Sequence, residues 1–140
     1  MKVPQVIFDS NILYAALYSN RGASFKLVSM IEKGLFDFHL SVPLVLEYEA
    51  VLLRSADELG LTKKDIQSFF NHLCEKASLH EVYYLWRPTL KDPKDEMVLE
   101  VAVKAQCDYI VSYNKSDFKG ADRFGVQVVD AAEFIKLLNG

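Results

Sequence analysis

The segment VIFDSNIL, residues 6–13, decides the fold class of this chain. Its first residues continue an apolar run, which predicts a strand buried on both faces. The run stops abruptly at Asp9, and Ser10 or Asn11 is a suitable N-cap for a helix over residues 12–17. A buried strand that leads directly into a helix is typical of α/β proteins.

The rest of the chain repeats this alternation of strands and helices. Apolar and β-branched runs predict strands over residues 3–8, 36–41, 80–85, 108–112 and 125–129. Helical spacing and capping signals predict helices over residues 23–33, from Pro43, from Thr62 to about Ala77, from Asp92, and over residues 131–138. We therefore expect one domain over residues 1–140, built on a mostly parallel sheet that helices cover on both faces.

Composition and charge limit the classes of function. The chain has 140 residues, of which 51% are hydrophobic and 25% are charged, as in ordinary globular domains. Its formal net charge of −3 at pH 7 provides no general attraction to nucleic acid. A function on nucleic acid would therefore need a local basic patch, or a metal ion between the protein and the phosphate.

Nothing in the sequence predicts secretion or membrane insertion. No apolar run reaches the roughly 18 residues that a membrane span needs, and Asp9 interrupts the N-terminal apolar run. Cys74 and Cys107 do not form a Cys-x-x-Cys pair, and we expect both to be reduced thiols. These features predict a cytoplasmic protein without membrane association.

Acidic residues recur at the positions where α/β proteins form sites. Asp9 follows the first predicted strand and Asp117 follows the fourth, while Asp95 and Glu96 lie in the first turn of the helix that Asp92 begins. In open parallel sheets, sites form beyond the carboxyl ends of the strands and near helix N-termini. Each acid also has a purely structural interpretation, as a helix cap or as a favourable charge near a helix dipole.

The acids are more informative as a set. Several carboxylates at one sheet edge would repel one another and raise their pKa values, and a divalent cation would remove this conflict. Mg²⁺ prefers oxygen ligands and bridges to phosphate, and Mn²⁺ can replace it. His39, His72 and His80 are scattered along the chain without the ligand spacing of a zinc site. The expected cofactor is therefore Mg²⁺ or Mn²⁺.

Four segments resemble motifs of the PIN-domain family. VIFDSNILYAAL resembles its V-x-D-T-N-x-L start, and LSVPLVLEYEAVLLR resembles its S-P-x-L-x-x-E-Y-x-x-V-L segment. DPKDEMVLEVAVKAQCDYIVSYNKSDF resembles its D-P-x-D-x-x-x-L-x-x-A...A-D-Y-I-V-T-x-N-x-x-D-F stretch, and GVQVVDAAEFIKLL is similar to its closing strand and helix. The segments follow the family's order across nearly the whole chain. The nearest resemblance is to VapC-like toxins of bacterial and archaeal toxin–antitoxin systems.

The resemblance implies a three-layer α/β/α sandwich and a metal-dependent endoribonuclease. It also implies RNA as substrate, an antitoxin protein as partner and a homodimer. Asp9, Glu47 and Asp95 match the family's acids and are the implied catalytic and metal-binding residues. Glu49 lies at the opposite margin of the same apolar helix face as Glu47, and the Glu-Tyr pairing favours Glu47. Glu96 competes with Asp95 because both begin the same helix.

The fourth acidic position departs from the family pattern. Many members carry T-x-D where this chain has Ser112-Tyr113-Asn114, so Asn114 replaces an acid. Asp117, three residues later, is the candidate for the fourth catalytic and metal-binding carboxylate. Whether Asp117 or Asn114 takes this position stays open.

Four residues are candidates for binding the substrate. Asn114 would orient substrate or water, and Ser10 keeps a hydroxyl where the family usually has Thr. Lys115 and Arg21 follow strand and helix ends near the expected site and would contact the phosphate backbone. Lys119 and Arg123 belong to the same group of cations.

Two other functions are compatible with the sequence. Haloacid-dehalogenase-like phosphatases also place an acid after the first strand, but their D-x-D-x-T motif requires a second Asp where this chain has Asn11. Loss of an acid at Asn114 would instead leave an RNA- or protein-binding module with weak catalysis. The aromatic segment over residues 82–86 would be partly core or part of a dimer interface.

Overall fold

The computed structural model describes residues 3–80 and 93–139, and within them five strands form one sheet. The strands are β1 (Gln5–Phe8), β2 (Asp37–Ser41), β3 (Ser78–His80), β4 (Tyr109–Val111) and β5 (Gln127–Val129). The helices are α1 (Ser10–Tyr18), α2 (Ala23–Ser29), α3 (Val42–Arg54), α4 (Ala56–Leu59), α5 (Lys63–Lys76), α6 (Pro93–Lys104) and α7 (Ala131–Leu138). Short 3-10 turns cover Met30–Lys33, Lys115–Phe118 and Ala121–Phe124.

The sheet has the order β3-β2-β1-β4-β5, and the described pairings are parallel. The carboxyl ends of the strands therefore lie at one edge of the sheet. Phe8 of β1 is in register with Val111 of β4. The residues that follow them, Asp9 and Ser112, consequently leave the sheet side by side.

Helices cover the sheet on both faces. On one face α6 contacts β1, β2 and β4, and α3 packs between α6, α5 and β2. On the other face the ring of Phe134 in α7 contacts the rings of Phe36 and Tyr109, and α2 packs between α1 and α7. The three-layer α/β/α sandwich with a parallel central sheet is confirmed.

The central strand β1 is apolar because both of its faces are covered. Val6, Ile7 and Phe8 are each fully buried, as the apolar run predicted. The ring of Phe8 lies 4.6 Å from that of Phe38 on β2. Burial of these side chains fixes the position of β1, and with it the position of Asp9.

Local capping signals predicted several helix boundaries correctly. Thr62 and Asp65 form a reciprocal capping box at the start of α5. Ser41 caps α3 and Pro43 lies in its first turn. Gly34 has a left-handed φ of 70° and ends the turn after α2, where a side chain would be strained.

Among the predicted boundaries that the structure corrects, two have a clear physical cause. The N-cap of α1 is Asp9, whose carboxylate accepts the Ser10 N–H, and α1 begins at Ser10 itself. The described part of β3 begins at Ser78 rather than at His80, because backbone pairing with His39 and Leu40 of β2 extends it. The predicted strand beyond His80, the aromatic segment over residues 82–86 and Asp92 lie outside the described residues.

In the described part of the chain, no helix has both the length and the apolar character required to cross a membrane. Cys74 and Cys107 are free thiols, as expected. Burial, assisted by the charge of Asp108, raises the pKa of Cys107 to about 12. Cys107 is therefore a structural residue of the core and not a reactive thiol.

Two histidines that are distant in the sequence meet on the sheet, which corrects the prediction that they are scattered. Nδ1 of His39 lies 2.8 Å from Nε2 of His80, and Nε2 of His39 lies 2.6 Å from Oε1 of Gln5. The Gln5 amide nitrogen donates to a carboxylate oxygen of Asp37 at 2.8 Å, so its oxygen faces His39 as an acceptor. His39 therefore donates to Gln5 through Nε2 and, when neutral, accepts from His80 through Nδ1.

We expect the neutral form of His39 to stabilise the fold. Burial, and then the nearby His80, lowers the pKa of His39, while Asp37 partly offsets this shift. The unfolded chain therefore binds the proton first as the pH falls. The stabilisation is complete above the ordinary pKa of about 6.5 and is lost as the pH falls from there towards the folded-state value.

The measurement is urea unfolding at about pH 7.5 and about pH 5.5. His39→Gln should lose less stability between the two pH values than the unmodified protein. His72→Gln is the matched control, because His72 is half exposed and pairs with Glu32 at the surface. An equal loss in His39→Gln and in the unmodified protein would contradict the prediction.

Candidate active site

Asp9 lies at the end of β1 and is the N-cap of α1. Only 6% of Asp9 is exposed, and each of its two carboxylate oxygens accepts a hydrogen bond. Oδ1 accepts the backbone N–H of Ser10 at 2.8 Å, and Oδ2 accepts the hydroxyl of Ser112 at 2.7 Å. One bond is made within the local turn and the other across the sheet, so the carboxylate has a single fixed orientation.

Ser112 connects the elements around Asp9. Its fully buried hydroxyl donates to Asp9, accepts the backbone N–H of Asn114 at 3.0 Å and lies 3.4 Å from Nδ2 of Asn11. Ser112 was not among the predicted site residues. The available signal was a hydroxyl at the end of a buried strand, at the edge where Asp9 was expected.

Helix α3 presents one face to Asp9. Glu47, Tyr48, Val51 and Arg54 lie at helical spacing on this face, and one carboxylate oxygen of Glu47 is hidden from solvent. The hydroxyl of Tyr48 donates to the carbonyl of Phe8, the residue before Asp9. Burial, and then the charge of Asp9, raises the pKa of Tyr48 well above its ordinary value, so this hydroxyl stays protonated.

Removal of the Tyr48 hydroxyl should destabilise the fold. Tyr48→Phe would leave the buried Phe8 carbonyl without its donor, at a cost of about 1–3 kcal/mol in the free energy of unfolding. Urea unfolding measures this cost, with Tyr18→Phe as control because Tyr18 is 64% exposed. Equal stability of the two variants would show that the hydrogen bond contributes nothing.

The carboxyl edge of the sheet forms a cavity of about 320 Å³. The acids Asp9, Glu47, Asp95 and Asp117 all line it, although they come from the end of β1 at the cap of α1, from α3, from α6 and from the turn after β4. Its polar lining also includes Ser10, Asn11, Tyr48, Arg54 and Asn114. The tertiary structure thus brings together the four predicted acids, together with two of the predicted substrate-binding residues.

A family model described as PIN domain matches residues 5–116, which include the strands β1 to β4 and the acids Asp9, Glu47 and Asp95, and Asp117 directly follows the matched range. This chain belongs to the PIN-domain family. Proteins with this domain are generally nucleases, and those nucleases typically use divalent metal ions. A search among curated proteins gave no match.

In this PIN domain, acids that are close in the sequence differ in whether they line the cavity. Glu47 lines the cavity, whereas Glu49 does not. Burial, and then the charge of Glu49, raises the pKa of the Cys74 thiol in α5. Asp95 lines the cavity as well, whereas Glu96 is buried outside its lining. Burial, and then the charge of Glu96, raises the pKa of Glu100. The geometry therefore places Glu47 and Asp95, not their neighbours, at the cavity.

Two predicted substrate-binding residues lie elsewhere. Lys115 forms an ion pair with Glu133 of α7, on the side of the PIN domain away from α3. Arg21 lines a separate groove with Phe25 and Lys26, beside α2. Arg54 was not predicted, yet its cationic side chain lines the cavity.

The donor set fits a hard divalent ion in its chemistry. The acids of the cavity offer carboxylate oxygens, which Mg²⁺ and Mn²⁺ prefer, and the described residues that line it include neither cysteine nor histidine. The fit in position is incomplete. Among residues 3–80 and 93–139, no group of three or more Asp, Glu, His or Cys side chains converges on one point closely enough to hold a metal ion.

Proposed function

We propose that this PIN domain is a metal-dependent endoribonuclease that hydrolyses phosphodiester bonds of RNA at the cavity around Asp9. The observation that carries the proposal is the common cavity. Four acids from four separate parts of the chain line it, at the edge of a parallel sheet where α/β enzymes form their sites. Membership of a family of nucleases supports the same reaction class.

Asp9, Glu47 and Asp95 would hold Mg²⁺ or Mn²⁺, with Asp117 or Asn114 in the fourth position. A bound metal ion lowers the pKa of a coordinated water and stabilises charge on the phosphate. Asp9 is the residue best prepared for this role, because its two hydrogen bonds fix its orientation before any ion binds. Its burial excludes bulk water, which strengthens its interaction with a cation.

The remaining polar residues of the cavity would position the substrate. Arg54, at the end of α3, would bind a non-bridging phosphate oxygen and offset the negative charge of the acids. Asn114 is held by its backbone bond to Ser112, so its side chain would orient the attacking water or the leaving oxygen. The hydroxyl of Ser10 would contact the adjacent phosphate.

The test is cleavage of labelled single-stranded RNA by the purified protein. We expect cleavage with Mg²⁺ or Mn²⁺, none after removal of divalent ions with EDTA, and recovery when Mn²⁺ is added back. Internal cleavage of RNA circles would establish an endonuclease, because an exonuclease needs an end. Activity that survives EDTA would contradict the proposed mechanism.

A second candidate is an RNA- or protein-binding PIN module with weak catalysis. Two observations favour it, namely Asn114 in place of an acid and the absence of a converged metal-ligand group in the described residues. Binding of RNA without cleavage of a broad panel of RNAs would select this candidate.

We also propose that the protein is the toxin of a toxin–antitoxin pair, acting as a homodimer. The support is the resemblance of the four sequence motifs to VapC-like toxins. Induced expression should arrest bacterial growth, and the protein encoded next to it should relieve the arrest. Light scattering of the purified protein measures the dimer. Normal growth under full expression of an active nuclease would contradict the toxin role.

A further inference from the structure

Tyr113 is an exposed aromatic residue that is fixed at both ends. Its backbone N–H donates to Oδ1 of Asn11 at 3.3 Å. Its hydroxyl lies 2.6 Å from the hydroxyl of Ser24, a buried residue in the first turn of α2. Nevertheless 45% of Tyr113 is exposed to solvent. The ring is therefore held in place while part of its surface remains open.

The backbone of Tyr113 lies at the rim of the acidic cavity. Tyr113 lies between Ser112, which bonds Asp9, and Asn114, which lines the cavity. Consecutive Cα atoms are only about 3.8 Å apart. The side chain extends from this rim to α2, since its hydroxyl reaches Ser24.

A groove with cationic side chains lies beyond the ring. Its volume is about 460 Å³, and its lining includes Arg21, Ala23, Phe25 and Lys26. Ala23 and Phe25 flank Ser24, the partner of the Tyr113 hydroxyl, and Phe25 is 42% exposed. Within the described part of the chain, no ion pair involves Arg21 or Lys26. Two cations at one groove form a local positive charge of the kind that a chain with a net charge of −3 would need to bind nucleic acid.

We propose that the Tyr113 ring stacks on a base of single-stranded RNA whose scissile phosphate lies in the acidic cavity, and that the strand continues into the groove of Arg21, Phe25 and Lys26. The proposal rests on the proposed nuclease function and adds the path of the substrate. Aromatic rings and cations that alternate along a groove are the features by which proteins bind single strands, because every base has a face that can stack. A ring that is already ordered loses little entropy when the base arrives.

The first experiment measures stacking without cleavage. Asp9→Asn protein is titrated into single-stranded RNA that carries the fluorescent base 2-aminopurine at one position, with one RNA for each position. Stacking on an aromatic ring quenches this fluorophore. We expect the Asp9→Asn protein to quench the fluorophore at one position of the RNA. The double variant Asp9→Asn with Tyr113→Phe should quench at the same position, because phenylalanine keeps the ring. Added Tyr113→Leu should abolish the quenching.

Phe124→Leu is the matched control, because Phe124 is 41% exposed but precedes β5, at the opposite edge of the sheet from the cavity. It should leave the quenching unchanged. Quenching that persists in Tyr113→Leu, or that Phe124→Leu removes equally, would overturn the proposal.

The second experiment uses the active protein and RNAs with one abasic position. An abasic nucleotide at the stacked position should slow cleavage by roughly 5- to 150-fold, the range expected for loss of one stacked base. Tyr113→Leu should be slow on intact RNA and should show no further loss on the abasic RNA. An abasic penalty of the same size in Tyr113→Leu would overturn the proposal. Absence of all cleavage by the unmodified protein would instead overturn the nuclease function, independently of the fluorescence result.

Discussion

Asp9→Asn should lower the rate of RNA cleavage by about 100-fold or more while the protein remains folded. Asparagine removes the negative charge that would hold the metal ion. A bound metal ion typically contributes several kcal/mol to the stabilisation of the transition state, and this contribution would be lost. Each 1.4 kcal/mol, approximately, corresponds to a tenfold change in rate. The measurement is the single-turnover cleavage rate of labelled single-stranded RNA at saturating Mn²⁺.

Asparagine is the appropriate replacement because Asp9 also begins α1. Asn and Asp cap helices about equally well, so the bond from the Ser10 N–H is retained. The amide can also keep a hydrogen bond with the hydroxyl of Ser112. Asp9→Ala would also remove the helix cap, at a cost of roughly 0.5–2 kcal/mol of stability. A loss of activity in that variant could then come from lost metal binding or from lost stability.

Asp57→Asn is the matched control, since Asp57 is an exposed acid of α4 that does not line the cavity. It should cleave as the unmodified protein does. Equal rates for Asp9→Asn and Asp57→Asn, with both proteins folded by circular dichroism, would show that Asp9 is not part of the nuclease site.

Ser112→Ala should raise the Mn²⁺ concentration needed for half-maximal cleavage by roughly 10- to 100-fold. Residues that orient a metal ligand typically contribute this much to metal affinity or activity. Ser112 touches neither the proposed ion nor the substrate, and it acts by fixing the orientation of Oδ2 of Asp9. It is therefore a positioning residue, and its loss should be seen mainly in the metal dependence.

Two further variants separate positioning from general damage. Ser112→Thr keeps the hydroxyl, and the family motif has Thr at this place, so it should restore the metal affinity. Ser116→Ala removes an exposed hydroxyl from the following turn and should have no effect. A loss in Ser112→Ala that is the same at all Mn²⁺ concentrations would contradict the positioning role.

Local sequence signals predicted much of the fold. The helix over residues 131–138 was predicted with the bounds of α7, because its apolar spacing and its capping residues are all local. The capping box of Thr62 and Asp65 involves residues only three positions apart. Such features depend on backbone conformation and neighbouring side chains, which the sequence displays directly.

Features that depend on long-range pairing could not be predicted in this way. The start of β3 is set by hydrogen bonding to β2, and the meeting of His39 with His80 follows from the same register. The assignment of Glu47 over Glu49 came from family resemblance, since helical spacing placed both at margins of one face. In the structure Glu47 lines the cavity and Glu49 does not.

The sequence by itself determined the α/β class and the family, and it predicted the acids of the site, because each of these rests on short motifs. Only the tertiary structure decided how the acids are oriented. Asp9 and Ser112 are 103 positions apart in the chain, yet parallel pairing of β1 with β4 places them in hydrogen-bond contact. The same packing of distant strands and helices holds Tyr113 at the rim of the cavity. It also places Arg21 in a separate groove and pairs Lys115 with Glu133 of α7. Side-chain direction is set by the elements that pack around a residue, and no single segment of sequence contains that information.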